Sequence, residues 1–121
     1  MDNPVADPQR LTIAVTDDPR GTVVHVAGEL DHDTTAQLQT TLEQALDRAD
    51  ASRLVIDCTA VTFCDSSGLN TLLRTRRSAL ALQRSLILVA PGRAMVRLLR
   101  ITGADAALDL AATVPEALAR P

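Results

Sequence analysis

Lysine is absent: the 12 basic residues other than the histidines are all arginine. A P-loop nucleotide site, which needs a lysine after its glycines, is thereby excluded. Otherwise we read the bias as a codon signature without mechanism. Tryptophan and tyrosine are also missing, and Phe63 is the only aromatic residue. With 46% of the residues apolar, the core has to be Leu, Val, Ile and Ala, which suits a small α/β layer structure. The two cysteines, Cys58 and Cys64, form no Cys-x-x-Cys pair and have no clustered histidines near them, which excludes a zinc site of the usual spacing. No apolar run approaches the ~18 residues of a membrane span. The stretch from Met1 to Pro8 has neither the basic flank nor the apolar run of a signal peptide. A net charge of −3 argues against nucleic-acid or anionic-membrane partners. The expectation is a soluble, cytoplasmic chain whose 121 residues make one domain, enough to bury roughly two-thirds of the unfolded surface.

What is present falls into short periodic segments. Residues 1–9 hold two prolines and no pattern, and are expected as a flexible tail. Leu11 to Val15 alternates as a strand, Asp17-Asp18-Pro19-Arg20-Gly21 has the residues of a turn, and Thr22 to Gly28 is a β-branched return strand. His25 lies in that strand and reads as solvated. Leu38, Leu42, Ala45, Leu46 and Ala49 form one stripe at helical spacing, with Asp31 or Asp33 as candidate cap and Asp50-Ala51-Ser52 as its close. An apolar strand over 53–58 follows. A second helix buries Leu69, Leu72, Leu73, Ala79 and Leu80, while Arg74, Arg77 and Arg84 make a solvated basic face. Ser85 to Ala90 reads as a strand covered on both faces. Pro91-Gly92 leads to a third helix with Met95, Leu98, Leu99 and Ile101 apolar, ended by Gly103. Leu108-Asp109-Leu110 is a last short strand, and Thr113-Val114-Pro115-Glu116 has the capping-box pattern of a final helix. The order is ββαβαβαβα, without repeat or linker.

The chemistry concentrates at Cys64-Asp65-Ser66-Ser67-Gly68-Leu69, where a strand turns into a helix. Open α/β sheets present ligands at such turns. Ser66 is the expected N-cap. A hydrolase would use Ser66 or Ser67 as nucleophile and His32 as base, but there is no Gly-x-Ser-x-Gly elbow. A phosphate-accepting serine fits better. The helix N-terminus carries about half a positive charge and free amides, which would accept a phosphate on Ser66 with little distortion. The added charge, about −1.5 to −2, would fall beside Asp65 and block an interface without unfolding the domain.

Gly28-Glu29-Leu30-Asp31-His32 after the second strand and Asp65-Ser66-Ser67-Gly68-Leu69 after the third, on this element order, resemble the STAS domain. More narrowly they resemble the bacterial anti-sigma factor antagonists, over residues 10–119. The resemblance implies a mixed β-sheet with helices packed mainly on one face. It implies a non-enzymatic partner switch with no cofactor of its own. Unmodified, such a protein binds an anti-sigma factor with serine kinase activity and frees the sigma factor. The kinase then uses its ATP to phosphorylate Ser66, and a serine/threonine-type phosphatase reverses this. Asp31, His32, Asp65, Ser67, Gly68, Leu69 and Asn70 are the implied partner-binding residues, Asp31 by contact with the kinase. A monomer or weak homodimer is expected. STAS domains also serve as subunits of stress-signalling complexes and as companions of lipid-transport ATPases, and those alternatives stay open here; they serve too as tails of anion transporters, against which the missing membrane segment argues.

Overall fold

Asp18 folds back on its own turn, its carboxylate accepting from the Arg20 backbone N–H at 2.8 Å, and so joins strand β1 (Leu11–Asp18) to β2 (Gly21–Leu30) as an antiparallel hairpin. The computed structural model describes residues 10–48 and 52–120. After the hairpin come α1 (Thr35–Leu46), β3 (Arg53–Cys64), α2 (Ser66–Ala81), β4 (Ser85–Val89), α3 (Arg93–Thr102), a 3-10 turn (Ala104–Ala106), β5 (Asp109–Ala111) and α4 (Val114–Leu118). This is the expected ββαβαβαβα order. The expected tail, Ala49, and the expected helix close at Asp50 and Ala51 lie outside the described residues.

The five strands form one sheet in the order β1-β2-β3-β4-β5, and every pairing after the hairpin is parallel. Alternate side chains of a strand point to opposite faces, so each strand feeds two cores. Val24, Val26, Leu54, Ile56 and Leu88 meet Leu38 and Leu42 of α1, Leu69 and Leu72 of α2, and Met95 and Leu99 of α3 in the larger one. Val23, Val55, Ile87, Val89 and Ala111 meet Ala117 and Leu118 of α4 in the smaller one, with Val114 packed against them. The sheet is mixed, and three of the four helices cover one face, as expected. Gly103 ends α3 in the left-handed conformation at φ 78°, and the Thr113 side chain caps α4 by accepting from the Glu116 N–H at 3.2 Å.

Three local expectations fail for reasons of register. β3 does not stop at Cys58 but runs to Cys64, because Ala60 to Cys64 continue the parallel pairing with Ala27 to Leu30. Leu80 is 53% exposed. The buried row of α2 is Leu69, Leu72, Thr75 and Ala79, and the next residue is rotated about 100° away from it. Thr75 tolerates burial because its hydroxyl donates to the Thr71 carbonyl at 2.9 Å. Ile101 is likewise exposed at the end of α3.

His25 is half-buried rather than freely solvated, and its Nδ1 lies 2.9 Å from the Asp57 carboxylate on the neighbouring strand. Burial pushes the Asp57 pKa up, but hydrogen bonds from Thr59 and His25 outweigh it and hold the carboxyl below its ordinary value. A group depressed in the folded state stabilises the fold above its unfolded pKa of about 4 and loses that contribution as pH falls through the lower folded value. Asp57→Asn is therefore expected to cost stability at pH 7 and progressively less below pH ~4, as read from urea unfolding at both pH values. An unchanged cost at both would contradict it.

Candidate functional site

Because β2 and β3 are parallel neighbours, both chains leave the sheet at the same edge. Leu30 stands opposite Cys64, and the Asp65 N–H donates to the Leu30 carbonyl at 3.0 Å. Asp31 and Asp65, the next residue on each strand, therefore start two loops at the same height. The site is this pair of loops.

The first loop is closed by its own polar groups. Asp31 is buried, and its Oδ1 accepts from the Asp33 N–H at 2.9 Å and the Thr34 N–H at 3.2 Å. The Thr34 hydroxyl donates to the Glu29 carbonyl at 2.8 Å and accepts from the Asp31 N–H at 2.9 Å. Neither Asp31 nor Asp33 caps α1, contrary to expectation. The N-cap is Thr34, without a side-chain cap bond, because its hydroxyl is already committed inside the loop. The side-chain carboxylates of this loop are gathered by Arg10, which pairs with Asp31, with Glu29 at 3.0 Å and with Asp33 at 3.2 Å. Gly28 makes this possible. It sits at φ 113°, where the Glu29 N–H reaches the Arg10 carbonyl at 2.8 Å, and a Cβ there would lie 2.0 Å from that carbonyl oxygen. Exposed pairs of this kind contribute about 0–1 kcal/mol each, so the clamp orients the loop more than it stabilises the fold.

The second loop corrects the N-cap assignment. Asp65, not Ser66, caps α2: it is extended at φ −103° and ψ −172°, and its Oδ1 accepts from the Ser67 N–H at 2.9 Å and the Gly68 N–H at 3.2 Å. A carboxylate also gains from the positive end of the helix, so it displaces the neutral hydroxyl from that role. Ser66 becomes the first helical residue, and it is exposed. Among the described residues its hydroxyl makes no hydrogen bond. It borders a groove of about 360 Å³ shared with Ser67, Asn70 and Leu73. The free amides expected to receive a phosphate are fewer than the sequence implied, since Asp65 already holds two of them.

Gly68 and Leu69 are buried and support the turn from beneath. A Cβ on Gly68 would lie 2.9 Å from the Leu30 Cβ and 3.0 Å from both the Cys64 Sγ and the Leu30 carbonyl oxygen, so only glycine lets α2 start this close to β2. His32 and Asn70 are exposed, and Asp65 and Ser67 are half-buried. Among the described residues neither serine hydroxyl hydrogen-bonds an imidazole, so no nucleophile–base pair is assembled. Burial pushes the thiols of Cys58 and Cys64 up to about 12 and about 11, which keeps both protonated and unreactive at neutral pH. Phe63, half exposed at the strand end, and Arg10 are site features that the sequence reading missed. No helix among the described residues is long and apolar enough to cross a membrane. Among the described residues the Ser66 and Ser67 hydroxyls both lack a hydrogen bond, and Ser66 is the more exposed of the two.

The family model described as "Mlab, STAS domain" matches residues 13–112. Among solved structures, an anti-sigma factor antagonist from Mycobacterium paratuberculosis is 32% identical, with 94% of this chain covered against 96% of that one and a TM-score of 0.81. An anti-sigma-factor antagonist (STAS) domain protein from Planctomyces limnophilus is 25% identical over 88% of this chain and 93% of that one, with a TM-score of 0.74. The Bacillus cell fate determinant SpoIIAA in its phosphorylated form, 23% identical over 88% of this chain and 96% of that one, shares the fold at a TM-score of 0.69.

The cap assignment separates three variants by urea unfolding. Asp65→Ala should cost about 0.5–2 kcal/mol as a lost N-cap, and Gly68→Ala about 1–3 kcal/mol as overpacking. Ser66→Ala should stay within about 0.5 kcal/mol of the parent. A large loss for Ser66→Ala with none for Asp65→Ala would restore Ser66 as the cap.

Proposed function

This chain belongs to the STAS domain family, among its anti-sigma factor antagonists, and from that premise we propose that it is a partner switch operated by phosphate on Ser66. The unmodified surface docks on an anti-sigma factor with serine kinase activity in the cytoplasm and so frees a sigma factor. His32, Ser66 and Asn70 meet the partner directly, and Asp65 and Ser67 form the rim. Gly68 and Leu69 hold the helix start in place. Asp31 acts by shaping the loop, one oxygen held by the Asp33 and Thr34 amides and the other by Arg10, so a partner meets it together with the Arg10 guanidinium.

The observation that carries this reading is the exposed Ser66 hydroxyl at the first position of α2, directly after a carboxylate that fills the neighbouring amides. When the kinase presents ATP, the Ser66 oxygen bonds to the γ-phosphorus, the bond to the β-bridging oxygen breaks, ADP leaves and the serine proton passes to a base on the kinase. The product adds about −1.5 to −2 charges next to Asp65. With two amides already occupied, the phosphate is not absorbed into the turn. It projects into the space the partner fills, where an unpaired charge is costly to desolvate. Release follows, and a serine/threonine-type phosphatase restores the hydroxyl.

With the purified kinase partner and labelled ATP, Ser66→Ala should abolish phosphate incorporation while retaining binding in a pull-down. Ser66→Asp should bind at least about tenfold more weakly, a loss of roughly 1.4 kcal/mol. Phosphate found on Ser67 instead, or undiminished incorporation in Ser66→Ala, refutes the assignment.

A further inference from the structure

The outer face of α3 carries Arg93, Arg97 and Arg100, all exposed. The helix contains no acidic residue, so no pairing along its own surface is available. Among the described residues no carboxylate lies within ion-pair distance of these three; Arg53, Arg74, Arg76, Arg77 and Arg84 are also without one, so what sets α3 apart is that its three arginines border a single groove. The arrangement opposes local helix physics. Arg93 and Arg97 repel at the i,i+4 spacing, and Arg93 sits at the positive end of the helix. A solvated face under no other demand would carry mixed charges, and a local rule broken without structural gain marks a functional surface.

The three arginines border a groove of about 450 Å³ with Pro91 and Val96 as its apolar lining. Arg93 also borders a second depression, about 180 Å³, lined by Val61 to Cys64 at the end of β3 and Gly92 to Met95 at the start of α3. Phe63, the only aromatic residue, stands half exposed there. The two depressions therefore flank Arg93, which lines both. Helix geometry separates Arg93 from Arg97 by about 6 Å and Arg97 from Arg100 by about 4.5 Å along the axis. Alternate side chains of an extended peptide lie about 6.6 Å apart, which matches the first interval.

We propose that these adjoining depressions dock an extended acidic segment of a protein partner, with an apolar side chain against Phe63, alternate carboxylates on Arg93 and Arg97, and Arg100 adding positive charge at the far end. Duplex nucleic acid is disfavoured, because three guanidiniums on a chain of net charge −3 fall short of the roughly 6–10 phosphate contacts typical of such binding. The groove reaches the strand end at Phe63 and Cys64, but no residue of the turn from Asp65 to Asn70 lines it, and its occupation does not require phosphate on Ser66.

The full chain, isotopically labelled, is titrated with a synthetic peptide of one leucine followed by alternating glutamates, and binding is followed by amide shifts and fluorescence anisotropy. The proposal expects shifts confined to residues 61–64 and 91–102 and an affinity that falls as salt rises. It also expects at least a tenfold loss in the Arg97→Glu/Arg100→Glu double variant. That variant should melt within about 4 °C of the parent, since the glutamate at position 97 gains Arg93 as a partner while the one at position 100 loses a favourable charge at the helix C-terminus. Ser66→Asp should bind the peptide like the parent, which separates this groove from the switch. Shifts centred on 31–34 and 65–70, equal binding by the double variant, absence of peptide binding, or preference for duplex DNA or phosphatidylglycerol vesicles over the peptide would each overturn it.

Discussion

The hydrogen bond from the Asp65 N–H to the Leu30 carbonyl, at 3.0 Å, closes the last rung between two parallel strands and sets the level from which both functional loops depart. Its existence depends on steric permission as much as on polarity. The first turn of α2 has to pass over the end of β2, and Gly68 is the only kind of residue that lets it do so without striking Leu30 and Cys64. On the other side of β2, Gly28 gives the same permission to Arg10. Two backbone positions without side chains thus hold a clamp, a loop and a turn in one place.

From this constraint follows the division of labour between neighbouring polar residues. Asp65 is occupied by the helix it caps, and Asp31 by the turn it closes and by Arg10. Those groups are structural, and they leave the Ser66 and Ser67 hydroxyls without a hydrogen bond among the described residues, Ser66 being the more exposed. A residue whose modification leaves the cap intact is a suitable carrier of a reversible signal, because adding charge there alters the surface and not the fold. The thiols beneath the site are held protonated by burial, and among the described residues no histidine hydrogen-bonds either serine hydroxyl.

Much of this was legible in residue order. Periodicity located the hairpin, the crossover strands and the helices, and the chemistry of Gly103 and Thr113 located two helix ends. The Asp31 and Ser66 loops could be paired because consecutive parallel strands end at one edge. What escaped depended on angles and distances that adjacent letters do not encode. Asp65 and Ser66 are both good caps, and only the backbone dihedrals decide between them. Leu80 differs from Ala79 by one step of rotation, yet the smaller residue is the buried one. Arg10 meets acids 19 to 23 residues away only after the hairpin register has put Leu11 opposite Gly28. Phe63 stands half exposed near the end of β3, a placement that residue order alone does not give.

The central claim is that phosphate on Ser66 changes what the surface binds and not how the chain folds. The most direct measurement compares the unmodified and Ser66-phosphorylated protein in two ways, by calorimetric melting alone and by titration with the anti-sigma kinase. The account predicts melting temperatures that agree within about 4 °C, the shift corresponding to less than about 1 kcal/mol, together with a fall in affinity of at least tenfold. A phosphoprotein that melts far lower, or one that binds the kinase as tightly as before, would contradict it.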